Sequence, residues 1–226
     1  MNESAGVWNF VRGLERFSLC DWPGRTCAVV FLGGCNLRCP TCHNAELAWD
    51  MHSLPVVPAS ILKVQLAERS RWLDGVTVTG GEPTTVPGLT ELLHELGKLH
   101  LPVKLDTNGM RPQVVADLLR HGLVDTFAVD IKGPYELYPR LTGGAVTEAQ
   151  AAANLGAILD LARANPTRFY FRTTTVPALT DDDVDTARGY LPRGFSLTLQ
   201  DYVPPRRIAH ALADHEERRP VGDLVH

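Results

Sequence analysis

Three cysteines stand within eight residues of one another: Cys35, Cys39 and Cys42, in the stretch GGCNLRCPTCHN from Gly33 to Asn44. Their spacing is C-x3-C-x2-C. Thiolates are metal ligands, and thiols crowded into one polar loop read as a metal site rather than as core. Closed tetrahedral cages take four protein ligands. Three suit a cubane [4Fe–4S] cluster: they fix three irons and leave the fourth open to a small molecule. A catalytic zinc site keeps an open position by the same logic. A rival stays open at this point, a zinc ion held by the three thiols with His43, Cys20 or Cys27 in a non-catalytic interaction protein. Against it, His43 directly follows Cys42, and adjacent residues seldom both reach one metal. Cys27 opens the apolar run CAVVFL. Both Cys27 and Cys20 read as small buried side chains.

Four more stretches carry groups suited to a ligand. GGEP, from Gly80 through Gly81 and Glu82 to Pro83, pairs close-approach glycines with a carboxylate. DTNG supplies Asp106, Thr107 and Asn108, and DIK supplies Asp130 and Lys132. Two aspartates at neighbouring strand ends need a cation or a proton between them. Lys132 is suited to pair with an aspartate or to balance a ligand carboxylate, and Asn108 to cap a helix or touch a ligand. Arg172 lies in FRTTTVP and Gln200 in LQDY, both strand-like runs whose alternation aims some residues inward. An inward arginine is costly without a partner, which favours a ligand-facing role.

These groups need a scaffold, and the hydrophobic period describes one. Six short β-branched or apolar runs read as strands: TCAVVFL, GVTVTG, PVKLDT, DTFAVDIK, RFYFRTTTV and FSLTLQDYV. Helical spacing appears between them. Ile61, Leu62, Leu66 and Leu73 mark one helix, and Leu89, Leu92, Leu93 and Leu96 another. RPQVVADLLRHG, a Thr147-capped alanine-rich segment and a Thr180-capped acidic one supply three more. Alternating strands and helices predict an α/β fold, a partial (β/α)6 TIM-like barrel of parallel strands with outer helices. It is expected to be one domain over residues 1–226, with an arm at 1–26 and a solvated tail at 204–226. The long stretch from Gly33 to Val57 reads as a functional loop. Loops at the carboxyl ends of barrel strands form the active face, so the motifs should converge there.

Composition narrows the classes. The chain has 226 residues, 44% hydrophobic and 21% charged, with a net charge of -4. That predicts no nucleic-acid partner. Nothing in it reads as a membrane span or a signal peptide, and five clustered cysteines do not read as a disulfide framework. The expected location is the cytoplasm, where thiols stay reduced.

The cysteine motif after a first strand and GGEP after a second resemble the radical S-adenosylmethionine (SAM) superfamily. FSLCDWPGRTCAVVFLGGCNLRCPTCHN, VTVTGGEPT, LDTNG and DIKGP, taken together, resemble its glycyl-radical-enzyme activases. The resemblance runs roughly from Phe10 to Pro205. It implies a [4Fe–4S] cluster on Cys35, Cys39 and Cys42 and SAM chelating the open iron. The GGEP loop would hold the SAM amino group. Asp106, Thr107 and Asp130 would hold a candidate monovalent cation. Reductive cleavage of SAM would yield methionine and a 5′-deoxyadenosyl radical, which takes hydrogen from a partner's glycine. The implied partners are a glycyl-radical enzyme of the anaerobic ribonucleoside-triphosphate reductase type and an electron donor such as flavodoxin or ferredoxin. Thr41 departs from the pattern, since the family usually has an aromatic residue before the third cysteine. A radical SAM enzyme acting on a peptide or a small metabolite would share these motifs.

Overall fold

The structure, a computed structural model, describes residues 6–204, so the expected tail beyond Pro204 lies outside the described residues. Seven strands lie side by side in chain order: β1 (Val11–Ser18), β2 (Cys27–Leu32), β3 (Gly75–Gly80), β4 (Val103–Thr107), β5 (Thr126–Asp130), β6 (Phe169–Thr175) and β7 (Leu197–Asp201). From β2 to β7 every neighbouring pair is parallel. These are the six strands expected from the hydrophobic period. The helices are α1 (Ala45–Trp49), α2 (Ala59–Arg69), α3 (Leu89–Gly97), α4 (Pro112–Arg120), α5 (Tyr138–Leu141), α6 (Glu148–Ala164) and α7 (Asp181–Gly189).

Strand register separates two chemistries. Val30, Val78, Leu105, Phe127 and Phe169 stand opposite one another across β2 to β6, and all are buried. Leu92, Leu93 and Leu96 of α3, Val115 and Leu118 of α4, and Leu155 and Ile158 of α6 join them in one core. Successive strand residues face opposite ways, so the residues between them form the other face. That face carries Thr77, Lys104, Asp106, Asp130, Arg172 and Gln200. Helix burial thus covers the apolar face and leaves a polar one for chemistry. Beneath the polar face, Trp22 packs with Cys27 and Val29 in a second, small cluster.

Several features differ from the expectation. The arm carries a seventh strand: β1 pairs antiparallel with β2, and the Pro23-Gly24 turn joins them. Cys20 lies exposed in that connection while Cys27 is buried, so only Cys27 is the small core side chain expected. The stretch from Gly33 to Val57 is not simple loop, because α1 and a 3-10 turn at Met51–Ser53 interrupt it. Helices of four or five residues, such as α1 and α5, are too short to show a period. Ile61 is 52% exposed, because the buried stripe of α2 follows Leu62 and Leu66, four residues apart. Among the described residues no helix is long and apolar enough to cross a membrane.

α6 holds its start through a capping box. The Thr147 hydroxyl accepts from Gln150 N–H at 3.2 Å, and Thr147 N–H donates to the Gln150 side chain at 2.9 Å. Thr147→Ala should therefore cost about 1 kcal/mol of stability, read as a lowered midpoint in urea with an unchanged slope.

Candidate active site

The three cysteines leave the sheet just past the carboxyl end of β2, and the loop that carries them is tied down on several sides. Gly33 N–H donates to the Phe10 carbonyl at 2.8 Å, and Gly34 N–H to that of Leu47 at 2.9 Å. The Asn44 amide donates to the Gly80 carbonyl at 3.2 Å, which joins the loop to the end of β3. The Asn108 amide donates to Asn36 Oδ1 at 2.8 Å, which joins it to the loop after β4. Arg38 N–H donates to the Thr142 carbonyl at 3.0 Å, beyond β5. Within the loop, Cys42 N–H closes a turn on the Cys39 carbonyl at 3.0 Å.

The GGEP loop packs backbone against backbone. Glu82 N–H donates to the Gly34 carbonyl at 2.8 Å. A Cβ at Gly81 would overlap that same carbonyl oxygen, so only glycine fits. Gly80 has φ of 128°, a region that strongly favours glycine. The Glu82 carboxylate, expected to face a ligand, is 1% exposed and fully engaged by the protein. Its Oε1 accepts from Thr84 N–H at 3.1 Å, from the Thr84 hydroxyl at 2.6 Å and from the Thr107 hydroxyl at 2.8 Å. Its Oε2 accepts from Asn108 N–H at 2.7 Å. Burial pushes the Glu82 carboxyl upward, and the bonds from Thr84, Asn108 and Thr107 pull it back. Glu82 therefore clamps the loop after β3 to the loop after β4.

Five charged side chains alternate across β4, β5 and β6. Lys104, with no exposed surface, pairs with Asp106 Oδ1. Asp106 Oδ2 lies 3.1 Å from Arg172 Nη2. Arg172 Nε donates to Asp130 Oδ1, and Lys132 Nζ lies 3.3 Å from Asp130 Oδ2. Register explains the closeness, since Asp130 stands directly beside Arg172 on the neighbouring strand. Burial alone would raise the Asp130 carboxyl, but Arg172 and Lys132 outweigh it and hold it below the usual carboxylate range. Burial works against the Lys132 ammonium, and Asp130 with Cys39 more than offsets it. Lys132 N–H donates in turn to the hydroxyl of buried Tyr138 at 3.0 Å.

The thiols sit above these charges. Burial pushes Cys35 up to about 11; the Leu37 N–H on its sulfur at 3.4 Å opposes this, while Glu82 and the other two cysteines add to it. Burial also raises Cys39 and Cys42, and Lys132 pulls both back. Each thiol must lose its proton to bind a metal. Among the described residues no three His, Cys, Asp or Glu side chains converge on a point suited to a single ion. The thiols instead line one cavity, with an amide on one sulfur and an ammonium near two. Three thiols on one wall are a donor set that fits an iron–sulfur cluster, and the amide on Cys35 is the kind of outer partner that supports a thiolate ligand.

Of the residues singled out by their motifs, the same cavity wall carries Cys35, Cys39, Cys42, Gly80, Gly81, Glu82, Asp106, Thr107, Asn108, Asp130, Lys132, Arg172 and Gln200. Pro83 lies outside it, at the start of a 3-10 turn. Lys104 escaped the motif reading, because nothing in PVKLDT marks its ammonium as buried. Trp49 and His43 also line the wall, with no motif in the sequence that marks them for it. His43 stacks on Tyr202 with ring centroids 5.3 Å apart, which links the cysteine loop to the end of β7. The Trp49 indole donates to the Leu37 carbonyl at 2.9 Å.

A parallel partial barrel with three thiols at its mouth defines an α/β protein built around a metal–sulfur site. The chain belongs to the Radical SAM superfamily, which it matches over residues 29–191. The family uses a [4Fe–4S] cluster and SAM, and both are cofactors of this chain. The pyruvate formate-lyase-activating enzyme of Clostridium pasteurianum is 30% identical over 188 residues, covering 77% of this chain and 72% of that protein. The enzyme of the same name from Streptococcus mutans is 29% identical over 194 residues, covering 79% and 70%. Among solved structures, anSMEcpe with bound AdoMet superposes with a TM-score of 0.56 at 17% identity. That likeness covers 76% of this chain and 50% of that one, and it concerns the fold.

Two outcomes test the charge ladder. Lys104→Met removes one partner of a buried pair and should cost about 3 kcal/mol in chemical denaturation. Asp130 has a carboxyl depressed on folding, so its contribution to stability is full above the unfolded carboxylate range. That contribution is lost as pH falls through the folded value. The acid limb of a stability-versus-pH curve should accordingly flatten in Asp130→Asn.

Proposed function

We propose that this chain is a glycyl-radical-enzyme activase whose partner is an enzyme of the anaerobic ribonucleoside-triphosphate reductase type. Cys35, Cys39 and Cys42 would hold the [4Fe–4S] cluster at the cavity mouth. The bound cluster and SAM supply a reductive cleavage that yields methionine and a 5′-deoxyadenosyl radical, the chemistry of the cofactor pair rather than of the chain. The chain's task is to hold SAM in one pose and keep water out. The backbone of Gly80 and Gly81, braced by Glu82, would receive the SAM amino group. Lys132 and Arg172 would face its carboxylate, and Gln200 and Asn108 would bound the nucleoside. With no aromatic residue at Thr41, Trp49 and His43 of the cavity wall would bound the adenine. A flavodoxin or ferredoxin would donate the electron, and the site of action would be the cytoplasm, where thiols stay reduced.

The observation that carries this reading is the convergence of the three thiols and the fixed charges on one cavity. The similarity to named activating enzymes over more than three quarters of the chain supports the activase branch. Anaerobic reconstitution should give about four irons and four sulfides per chain and a brown protein. Cys39→Ala should lose both the cluster and SAM cleavage. Co-incubation with a candidate reductase, SAM and a reductant should then produce a glycine-centred electron paramagnetic resonance signal. SAM cleavage with no such signal on any glycyl-radical enzyme would reassign the protein to a peptide or small-metabolite substrate.

A further inference from the structure

Asp106, Thr107 and Asp130 have the side chains of a monovalent-cation site, yet each is already committed. Asp106 Oδ1 pairs with Lys104, and Oδ2 lies 3.1 Å from Arg172. Asp130 Oδ1 pairs with Arg172, and Oδ2 lies 3.3 Å from Lys132. The Thr107 hydroxyl donates to Glu82 at 2.8 Å and accepts from Gly109 N–H at 3.2 Å. A hard cation needs several oxygens at once. Here every carboxylate oxygen of the pair already faces a nitrogen cation, so an added cation would have to share each oxygen with a neighbouring positive charge.

We propose that Arg172, buttressed through Asp106 by buried Lys104, takes the place of an external monovalent cation in this protein. The inference rests on SAM occupying this cavity. Charge supports it as well as geometry. The ladder holds three cations, Lys104, Arg172 and Lys132, and two carboxylates, Asp106 and Asp130. One positive charge is therefore in surplus, which suits the one carboxylate of an amino-acid ligand. A potassium ion would double that surplus beside a guanidinium that is only 15% exposed, where like charges repel most strongly. On this account Arg172 is a binding residue that faces the ligand carboxylate, and Lys104 and Asp106 position it. Its planar fork spans two carboxylates, which a lysine ammonium does with less geometric control.

Potassium response tests the idea. SAM affinity of the reconstituted holoprotein, in tetramethylammonium buffers, should change by less than about twofold on adding potassium to about 0.1 M, a tightening of tenfold or more overturning the proposal. Arg172→Gln should weaken SAM binding by about tenfold without alkali cation, and potassium should restore most of the loss. Arg172→Lys should keep the indifference to potassium. A loss in Arg172→Gln that potassium does not touch would mean a merely structural role and would also sink the idea. Crystals soaked in thallium(I) give a reading that needs no SAM. Anomalous density between the Asp106 and Asp130 carboxylates of the unmodified protein would overturn the proposal; density there in Arg172→Gln alone would support it. Failure of the activase reading, by contrast, would show as SAM cleavage with no glycine-centred radical on any glycyl-radical enzyme, whatever the thallium result.

Discussion

Arg172 lies between Asp106 and Asp130, and these three residues belong to three consecutive strands. Two carboxylates this close stay ionised together only with positive charge between them. The guanidinium meets that need at the carboxyl ends of β4, β5 and β6, where the parallel ladder already sets Asp130 beside Arg172 and Asp106 on the same face. Lys104 extends the same logic inward, where a fully buried ammonium is tolerable only because Asp106 faces it. Removing a member leaves its neighbour's charge exposed to a poorly polarisable interior. The ladder therefore behaves as one unit rather than as four separate pairs.

A second device works at the rim with neutral donors. Glu82 gathers two backbone amides and two hydroxyls from the loops after β3 and β4. An ionised carboxylate has about four acceptor positions, and this one takes four protein donors, three of them on Oε1. The consequence runs from sequence to function. The glutamate of GGEP is not needed as a ligand contact for its type to matter, because it sets where the Gly80 and Gly81 backbone lies. The Gly34–Gly81 contact then places the cysteine loop against that backbone. Walls fixed by charge and a rim fixed by hydrogen bonds together make a cavity shaped before a ligand arrives.

The parts readable from the sequence are those that obey a period or a spacing. Strand runs such as GVTVTG and PVKLDT alternate plainly, and the leucines of α3 show the helical stripe. The GGEP, DTNG and DIK motifs were readable because each sits at a strand's end, where a barrel gathers them. What stayed hidden depends on register and on distance in the chain. Lys104 reads as a solvated residue until β4 is seen with both neighbours in place. The Asp130–Arg172 pair spans 42 positions and follows from the alignment of β5 with β6. The stack of His43 on Tyr202 joins the loop after β2 to the end of β7, beyond any local signal. Cys20 misled because a lone cysteine is usually buried, whereas its turn carries it out to solvent.

Using a side chain where an ion would serve has a thermodynamic consequence. A free ion must be captured from solution, and its occupancy follows its concentration. A guanidinium attached to β6 is present at every salt concentration and loses no translational freedom when the ligand binds. The opposing cost is permanent: the charge must be compensated with the cavity empty as well as full. Asp106, Asp130 and Lys104 meet that requirement, since together with Arg172 they form a neutral quartet. Lys132 is then the cation left over, 30% exposed at the cavity wall and near the cysteines. Fold and chemistry meet at that residue, because the buried part of the ladder is balanced within itself and its one unbalanced charge lines the cavity.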